Sequence, residues 1–416
     1  MAAGRAQLLF RGCQSIPFAF YRSGTSRGVY VLESSVPPKG PARDIVMAKL
    51  MGSGHAQQLE GFGGGTGPTS KAVIVGPHAD PDSVTYTFAQ CRVGEASVDH
   101  SHGDCGNMLA AVGPFALECG LVKMSGGPTT RVNIHSLNTG AVYSADVLTE
   151  DGGDGDSGPI VRYDGALEMP GVPSPGAPVT ITTHGIAGSQ TGKLLPTGND
   201  LDVFDLGEGL GEVSATIVDF ARALIMLDAR EVLPRFGYPS LQEASKERVE
   251  ADASLCAALE RVRRAASMAM GMGDCAGKDA PKVALLAPHE ASDSSDVGDR
   301  SIGMLACRYF VNPGRSEMHP TLAMTAAQAI GAACLLKRGV ARSALGTRPL
   351  LVTDIEGETS AQGSFSISHP QGFLPVDVVA KASSRAPAES FERECLPTSA
   401  SYATTVRPIA SGDAVV

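Results

Sequence analysis

The 416-residue sequence has no cluster of lysines and arginines, no CxxC pair and no apolar run long enough to cross a bilayer. Each absence removes a class of function. Without a basic face or an interleaved aromatic platform, and with a formal net charge of −10, nucleic acid is not an expected partner. The nine cysteines (Cys13, Cys91, Cys105, Cys119, Cys256, Cys275, Cys307, Cys334 and Cys395) are odd in number and lack zinc-type spacing. That pattern predicts a reducing, cytoplasmic setting and no metal. A membrane helix needs about 20 consecutive apolar residues, so a soluble chain with no membrane partner is expected. No solenoid-period repeat appears. Arg5, Arg11, Arg22 and Arg27 stand in the first 32 residues without an acid, faintly like a transit peptide, but from Ile16 onward the stretch reads as strand and site.

What is present is a chain with 43% hydrophobic residues, 49 glycines and 27 prolines. Its length allows more than one core, so two domains are expected, rich in turns and short strands. Segments 16–20 and 29–32 read as strands flanking the polar corner 21–28, which carries Arg22, Thr25, Ser26 and Arg27 between Gly24 and Gly28. Such a corner is either a carboxylate-holding loop or an ordinary polar turn. A short helix over 44–51 and the glycine-rich run 61–71 follow. That run ends in Ser70-Lys71 and opens a strand over 72–75, contrary to both the phosphate-binding and the dinucleotide-binding patterns, so no nucleotide cofactor is expected.

The chain is organised around residues 98–108, where His100, His102, Asp104, Cys105, Gly106, Asn107 and Met108 precede a dense apolar run. Residues 108–119 predict a buried helix closed by Gly120. Cys105 stands at its mouth, either as a small buried hydrophobe or as a reactive thiol. A second copy of this plan follows. Ser70-Lys71 and the strand after it resemble Pro281-Lys282 and its strand; Cys105 lies 34 residues beyond Lys71, and His319 lies 37 beyond Lys282. The second helix is predicted from Pro320 and runs through the Ala-rich stretch 324–336. Two similar halves facing one cleft are therefore expected, against the alternative of chance.

Elsewhere, 150–159, 172–179 and 292–299 read as loops, 192–199 as a compact turn carrying Lys193, and 239–271 as a solvated helix or helix pair. With no metal motif, nucleotide loop or nucleophile elbow, the chemistry available is proton transfer by lysine and cysteine.

The corner RSGTSRG, the loop QLEGFGGG with TSK, the VD and CGN segments, GPFA, GKLLPTGN, APKVALL, SHPQG and the stretch 402–412 resemble, in that order, the methylaconitate isomerase (PrpF-type) family. The resemblance implies an α+β fold of two pseudo-symmetric diaminopimelate-epimerase-like domains. Each would wrap β-structure around a central helix, with the active site in the cleft between them and no cofactor. Domain limits of 1–185, joined by 400–416, and 186–399 follow from it. The family's catalytic lysine falls on Lys71 and its cysteine on Cys105. Candidates for holding substrate are Arg22, Thr25, Ser26, Ser70, Gly106, Asn107, Met108, Lys193, Lys282, Ser316, Met318 and His319. The family pattern has glycine at Ser23, lysine at Arg27 and asparagine at Asp104, and the second helix mouth here has no cysteine. The missing second cysteine favours lysine-centred allylic isomerisation over two-cysteine epimerisation, and the departures together leave the reaction class standing while opening the choice of substrate. The resemblance thus implies an isomerase of a small-molecule tricarboxylate, cis-aconitate to trans-aconitate or 2-methylaconitate, and a homodimer is compatible with it. The alternatives are a 4-oxalomesaconate-type keto–enol tautomerase and a non-catalytic accessory of an aconitase-type enzyme.

Overall fold

The computed structural model describes residues 15–99, 103–152, 158–207, 209–278, 280–289, 303–345, 352–355, 358–382 and 395–416. His100, Ser101 and His102, and the loop expected at 292–299, lie outside these residues. Two compact units are present. One extends through Ile181 and takes back Thr404–Val416; the other is Thr182–Ala403.

The first unit opens with β1 (Ser15–Ser23), β2 (Ser26–Leu32), α1 (Pro41–Met51), β3 (Lys71–Pro77), β4 (Ser83–Cys91) and β5 (Val98–Asp99). It continues with α2 (Gly106–Leu109), α3 (Val112–Glu118), β6 (Thr129–Ser136), β7 (Val142–Asp151) and β8 (Pro159–Val161). The chain enters the second unit within β9 (Pro178–His184). There follow β10 (Asp202–Asp205), β11 (Glu212–Phe220), β12 (Arg222–Asp228), α4 (Ala229–Val232), α5 (Lys246–Glu250), α6 (Ala253–Ala269), β13 (Lys282–Pro288) and β14 (Gly303–Asn312). The last elements are β15 (Glu317–Met318), α7 (Met324–Cys334), α8 (Val340–Leu345), β16 (Val352–Ile355), β17 (Glu358–His369), β18 (Gly372–Ala382) and β19 (Cys395–Val415).

The same succession of pairings occurs in each unit. In the first, β1 is antiparallel to β2, β2 parallel to β3, β3 antiparallel to β4, β4 parallel to β6 and β6 antiparallel to β7. In the second, β11, β12, β13, β14, β17 and β18 repeat that order of antiparallel and parallel steps. Lys71 opens β3 opposite Gly28, the third residue of β2; Lys282 opens β13 opposite Leu224, the third residue of β12. The two lysine-led segments therefore hold equivalent places.

β3 shows why such a segment becomes a central strand. Ala72, Val73, Ile74 and Val75 are all buried, and the strand is paired on both edges, which suits a continuous apolar run of β-branched residues. Ala72 and Ile74 join Val46, Met47, Leu50 and Met51 of α1 in one core; Val73 and Val75 point to the other face.

Each unit has a buried helix against its strands. α3 packs on β6, β7 and β8, and α7 on β11, β12, β17 and β18. Small residues set the spacing: a Cβ at Gly113 would meet Ala145 Cβ and Val147 Cγ2 at 2.9 Å, and one at Gly331 would meet Val378 Cγ2 at 2.8 Å. From Ala326 to Cys334 every residue of α7 is buried; all are apolar or glycine except Gln328, whose Nε2 donates to Thr183 Oγ1 at 2.8 Å.

Three expectations about the helices are corrected. The helix predicted over 108–119 is two pieces, α2 and α3, because Pro114 has no N–H for the Ala110 carbonyl and its ring crowds that carbonyl. Gly120, at φ +69°, does terminate it. The second helix begins at Met324 rather than Pro320. There the Thr321 N–H donates to His319 Nδ1 at 3.0 Å, and this local bond holds the chain out of the helical path. Finally, the stretch 239–271 forms a helix pair that is not simply solvated: Leu255, Leu259, Val262 and Ala266 of α6 lie in the second unit's core. The chain's helices include none, among the described residues, long and apolar enough to cross a membrane.

Candidate active site

In the first unit, β1 and β2 meet at Gly24-Thr25, with Ser23 opposite Ser26. Gly24 has φ +55°, and a Cβ there would overlap Asn107 Oδ1. The close approach puts the Asn107 amide against the corner: Nδ2 donates to Thr25 Oγ1 at 3.1 Å and Ser26 Oγ at 3.3 Å, while Ser23 Oγ donates to the Asn107 carbonyl. Thr25, Ser26 and Asn107, predicted from separate parts of the chain, thus form one polar group.

Lys71 and Cys105 also come together. Lys71 Nζ lies 3.4 Å from Cys105 Sγ and donates to Gln90 Oε1 at 3.0 Å, with the Phe88 ring centroid 5.0 Å away. A carbonyl-type oxygen, a sulfur and a ring face thus surround this nitrogen, all of them groups that an N–H donor can meet. Gln90 holds its position because its Nε2 donates to the Ser70 carbonyl at 3.0 Å and the Gly67 carbonyl at 3.2 Å. Cys105 is half-buried and precedes α2, its carbonyl accepting from the Leu109 N–H. The Tyr86 hydroxyl lies 3.4 Å from both the nitrogen and the oxygen of Cys105. Burial drives the Tyr86 phenol well above its ordinary pKa, reinforced by Cys105 and Asp104, so it remains a neutral hydroxyl.

The other predicted residues of this unit have these partners. Ser70 is fully buried and donates to Gln58 Oε1 at 2.5 Å and the Thr66 carbonyl at 2.7 Å, which takes its hydroxyl out of reach of a ligand. Arg22 is committed to the backbone: Nη1 donates to the Thr405 carbonyl at 2.7 Å, Thr405 Oγ1 at 3.0 Å and the Gly24 carbonyl at 3.2 Å. Burial, and then Arg407 directly across the strand pair, lower its pKa. Met108 is buried, with its carbonyl accepting from the Tyr30 hydroxyl, and Gly106 begins α2 beside it.

In the second unit, Lys282 is buried, and its ammonium donates to the Val311 carbonyl at 2.6 Å. Met318 is buried too; its N–H donates to Glu250 Oε1 at 2.9 Å. Ser316 takes the left-handed conformation at φ +53°. His319 Nδ1 accepts from the Thr321 N–H, so the neutral ring carries its proton on Nε2. Burial first, then Lys246 and Lys282, lower the His319 pKa and favour that neutral ring. Lys193 is exposed on a loop fixed by a residue the sequence did not single out. Asp219, fully buried, accepts from Gln190 N at 2.7 Å, Thr191 N at 2.6 Å, Thr191 Oγ1 at 2.9 Å and Ser189 Oγ at 3.0 Å.

Gln90 was likewise missed, although counting back across the β3–β4 turn places it opposite Lys71. Asp219 gave no such signal, because a lone acid in an apolar strand reads as a register marker. No group of three or more His, Cys, Asp or Glu suited to a metal occurs among the described residues.

Comparison with known proteins bears on the family of the whole chain. The family model described as PrpF protein matches residues 13–397. The 4-oxalomesaconate tautomerase of Pseudomonas putida is 35% identical over 368 residues, covering 88% of this chain and 90% of that protein. The 3-methylitaconate isomerase of Eubacterium barkeri is 32% identical over 377 residues, covering 88% and 91%. A crystal structure of a methylitaconate-delta-isomerase superposes with a TM-score of 0.73 at 29% identity, covering 97% of this chain and 96% of that one. The relatives are enzymes, which sets aside the reading of a non-catalytic accessory. A chain matched over nearly its whole length by the family model, and over 88% of it by relatives named as a tautomerase and an isomerase, belongs to the PrpF family and is an isomerase.

Proposed function

We propose that this isomerase moves a double bond in an unsaturated tricarboxylate by allylic proton transfer, with aconitate or 2-methylaconitate as the first choices of substrate. The observation that carries the reading is the 3.4 Å approach of Lys71 Nζ to Cys105 Sγ. Once its proton has passed to the Cys105 sulfur across that contact, Lys71 removes a proton from the substrate CH₂ group and becomes again an ammonium held by Gln90 Oε1 and the Phe88 ring. The electron pair left behind delocalises into the neighbouring double bond and carboxylate as a dienolate. Hydroxyl and amide donors of Thr25, Ser26 and Asn107 are the groups in this unit suited to a substrate carboxylate. Return of a proton to the former vinyl carbon, from the Lys71 ammonium or the Cys105 thiol, completes the shift. Protons and charge balance, and no redox partner or cofactor enters.

A second reading has its own support. The relative named 4-oxalomesaconate tautomerase covers the chain as fully as the isomerases do, and the same lysine would transfer a proton between carbon and oxygen of a keto acid. Proton NMR of the purified enzyme with aconitate, 2-methylaconitate and oxalomesaconate in deuterated water separates the two. Allylic transfer puts deuterium on carbon of an isomerised aconitate or methylaconitate; conversion of oxalomesaconate alone, between its keto and enol forms, establishes the tautomerase. A cis–trans change with a CH₂ deuterium label wholly retained and no solvent deuterium on carbon overturns the lysine-base route, leaving reversible thiol addition at Cys105.

A further inference from the structure

We infer that Asp104 is a positioning residue that sets the Lys71–Cys105 approach by bracing the turn between β6 and β7 against β4. The inference rests on the proposed roles of Lys71 and Cys105. The Asp104 carboxylate accepts from three hydroxyls: Ser136 Oγ at 2.6 Å on Oδ1, and Thr139 Oγ1 and Tyr143 Oη (2.7 Å) on Oδ2. These donors come from the end of β6, the turn after it and the start of β7. An ionised carboxylate accepts on both oxygens and donates nothing, so it can take three hydroxyls at once.

The same turn is clamped to β4. Asn138 mimics a strand partner, its Oδ1 accepting from the Phe88 N–H at 2.8 Å and its Nδ2 donating to the Phe88 carbonyl at 3.0 Å. Leu137 N donates to the Tyr86 carbonyl at 2.8 Å. Along β4, Phe88 supplies the ring beneath Lys71 Nζ, Gln90 supplies its oxygen acceptor, and Tyr86 touches the Cys105 backbone. A closed mechanical circuit results. Lys71 is located by β4, β4 by the turn, the turn by Asp104, and Asp104 is bonded through the chain to Cys105. Releasing the carboxylate frees the two reacting groups to separate, and a displacement near 1 Å can cost about 10²-fold in rate.

The test uses Asp104→Asn, Asp104→Ala and Tyr143→Phe in the full chain, with kcat, KM, thermal stability and the rate of Cys105 alkylation by iodoacetamide, read on its own peptide by mass spectrometry. Asp104→Ala is expected to lower kcat about 100-fold and Asp104→Asn about 10-fold with KM little changed, from the steep dependence of rate on alignment. Tyr143→Phe, which keeps the carboxylate and two of its donors, should retain the folded state and lose a few-fold in kcat. The alkylation assay needs no substrate and so survives a wrong substrate assignment. A nearby ammonium promotes thiolate chemistry, so Lys71→Met slows Cys105 alkylation, and Asp104→Ala is expected to slow it similarly because the ammonium drifts away. Unchanged kcat in both Asp104 variants overturns the proposal. So does alkylation at the parental rate or faster in Asp104→Ala, since loss of the negative charge without loss of alignment speeds thiolate formation. If no acid in the panel is turned over while alkylation slows as expected, the function reading fails and the positioning role stands.

Discussion

Gly28 stands opposite Lys71 in the parallel register of β2 and β3, and a Cβ there would fall on the Lys71 carbonyl oxygen and within 2.6 Å of Met108 Cε. The nearest obstacle is backbone, which cannot swing aside as a side chain can. Gly28→Ala is therefore expected to cost about 1–3 kcal/mol of stability, the usual range for overpacking. Because the strand displaced is the one that begins with Lys71, kcat should fall as well. A urea unfolding midpoint and kcat both equal to those of the parent would show that β2 and β3 can part without consequence.

Lys71→Met is expected to remove turnover by about 10²-fold or more, the typical size of a general acid–base contribution. Its side chain is half-buried at the start of β3, and the replacement keeps the apolar stem over Phe88, so the fold should hold. Cys105→Ser should be milder, since a hydroxyl keeps the polar contact but is the poorer acid. Progress curves for the two variants, with circular dichroism to check folding, decide the matter. A Lys71 variant at near-parental rate would leave the base unassigned.

The pattern of apolar runs predicts β2, β3 and β13 because a strand buried on both faces announces itself in its own residues, and β1 by its shorter run even though Ser15 and Pro17 are exposed. Lys71 and Lys282 were legible as counterparts for the same reason. What could not be read locally was the use each side chain makes of distant partners. Arg22 reads as a carboxylate holder, and nothing near it in sequence announces Thr405, 383 residues on, whose carbonyl accepts from its Nη1. Ser70 looked like a loop hydroxyl, yet Gln58 folds over it with φ +51° and buries it. Thr25 and Ser26 are read as one corner and Asn107 as part of another segment; their convergence depends on Gly24 having no side chain. The break between α2 and α3 was legible, since Pro114 was in plain view inside a stretch predicted as one helix.

Arg263 provides a test of how the second unit holds Lys282. Fully buried on α6, it donates to the Cys275 carbonyl at 2.9 Å, the Lys278 carbonyl at 3.1 Å and the Pro281 carbonyl at 3.3 Å, and it pairs with Glu260 at 2.6 Å. Its removal takes a donor from three carbonyls and the partner from the Glu260 carboxylate, although the Cys275 carbonyl keeps the Lys278 N–H at 2.9 Å and the Lys278 carbonyl keeps the Asn312 amide at 3.3 Å. Arg263→Met is expected to destabilise by about 3–5 kcal/mol, as when one partner of a buried ion pair is deleted. Glu260→Gln, which keeps an acceptor for the guanidinium, should cost less. Equal unfolding midpoints for the two variants would mean that the carbonyl contacts contribute nothing beyond the ion pair.

The stability of the enzyme should also fall on mild acidification, for a reason set by His369. This ring, at the end of β17, is pushed down to a pKa of about 4 by burial first and then by His319 and Arg308. Its Nδ1 accepts from the Gln371 N–H at 3.3 Å, a bond that protonation at that nitrogen would break. An unfolded histidine titrates near 6.5, so between that pH and about 4 the unfolded chain holds a proton that the folded chain refuses. Nothing is lost above pH 6.5, where the ring is neutral in both states; the loss grows as pH falls through the window and is complete below 4. His319, lowered by burial and two lysines, acts in the same direction. Unfolding midpoints measured from pH 7 to 5, above the range in which most carboxylates titrate, should therefore decline in the parent. His369→Gln keeps an acceptor for the Gln371 amide and has no proton to gain, so its decline should be shallower. Parallel curves for parent and variant would assign the acid sensitivity to other groups and show His369 protonated at little cost inside the fold.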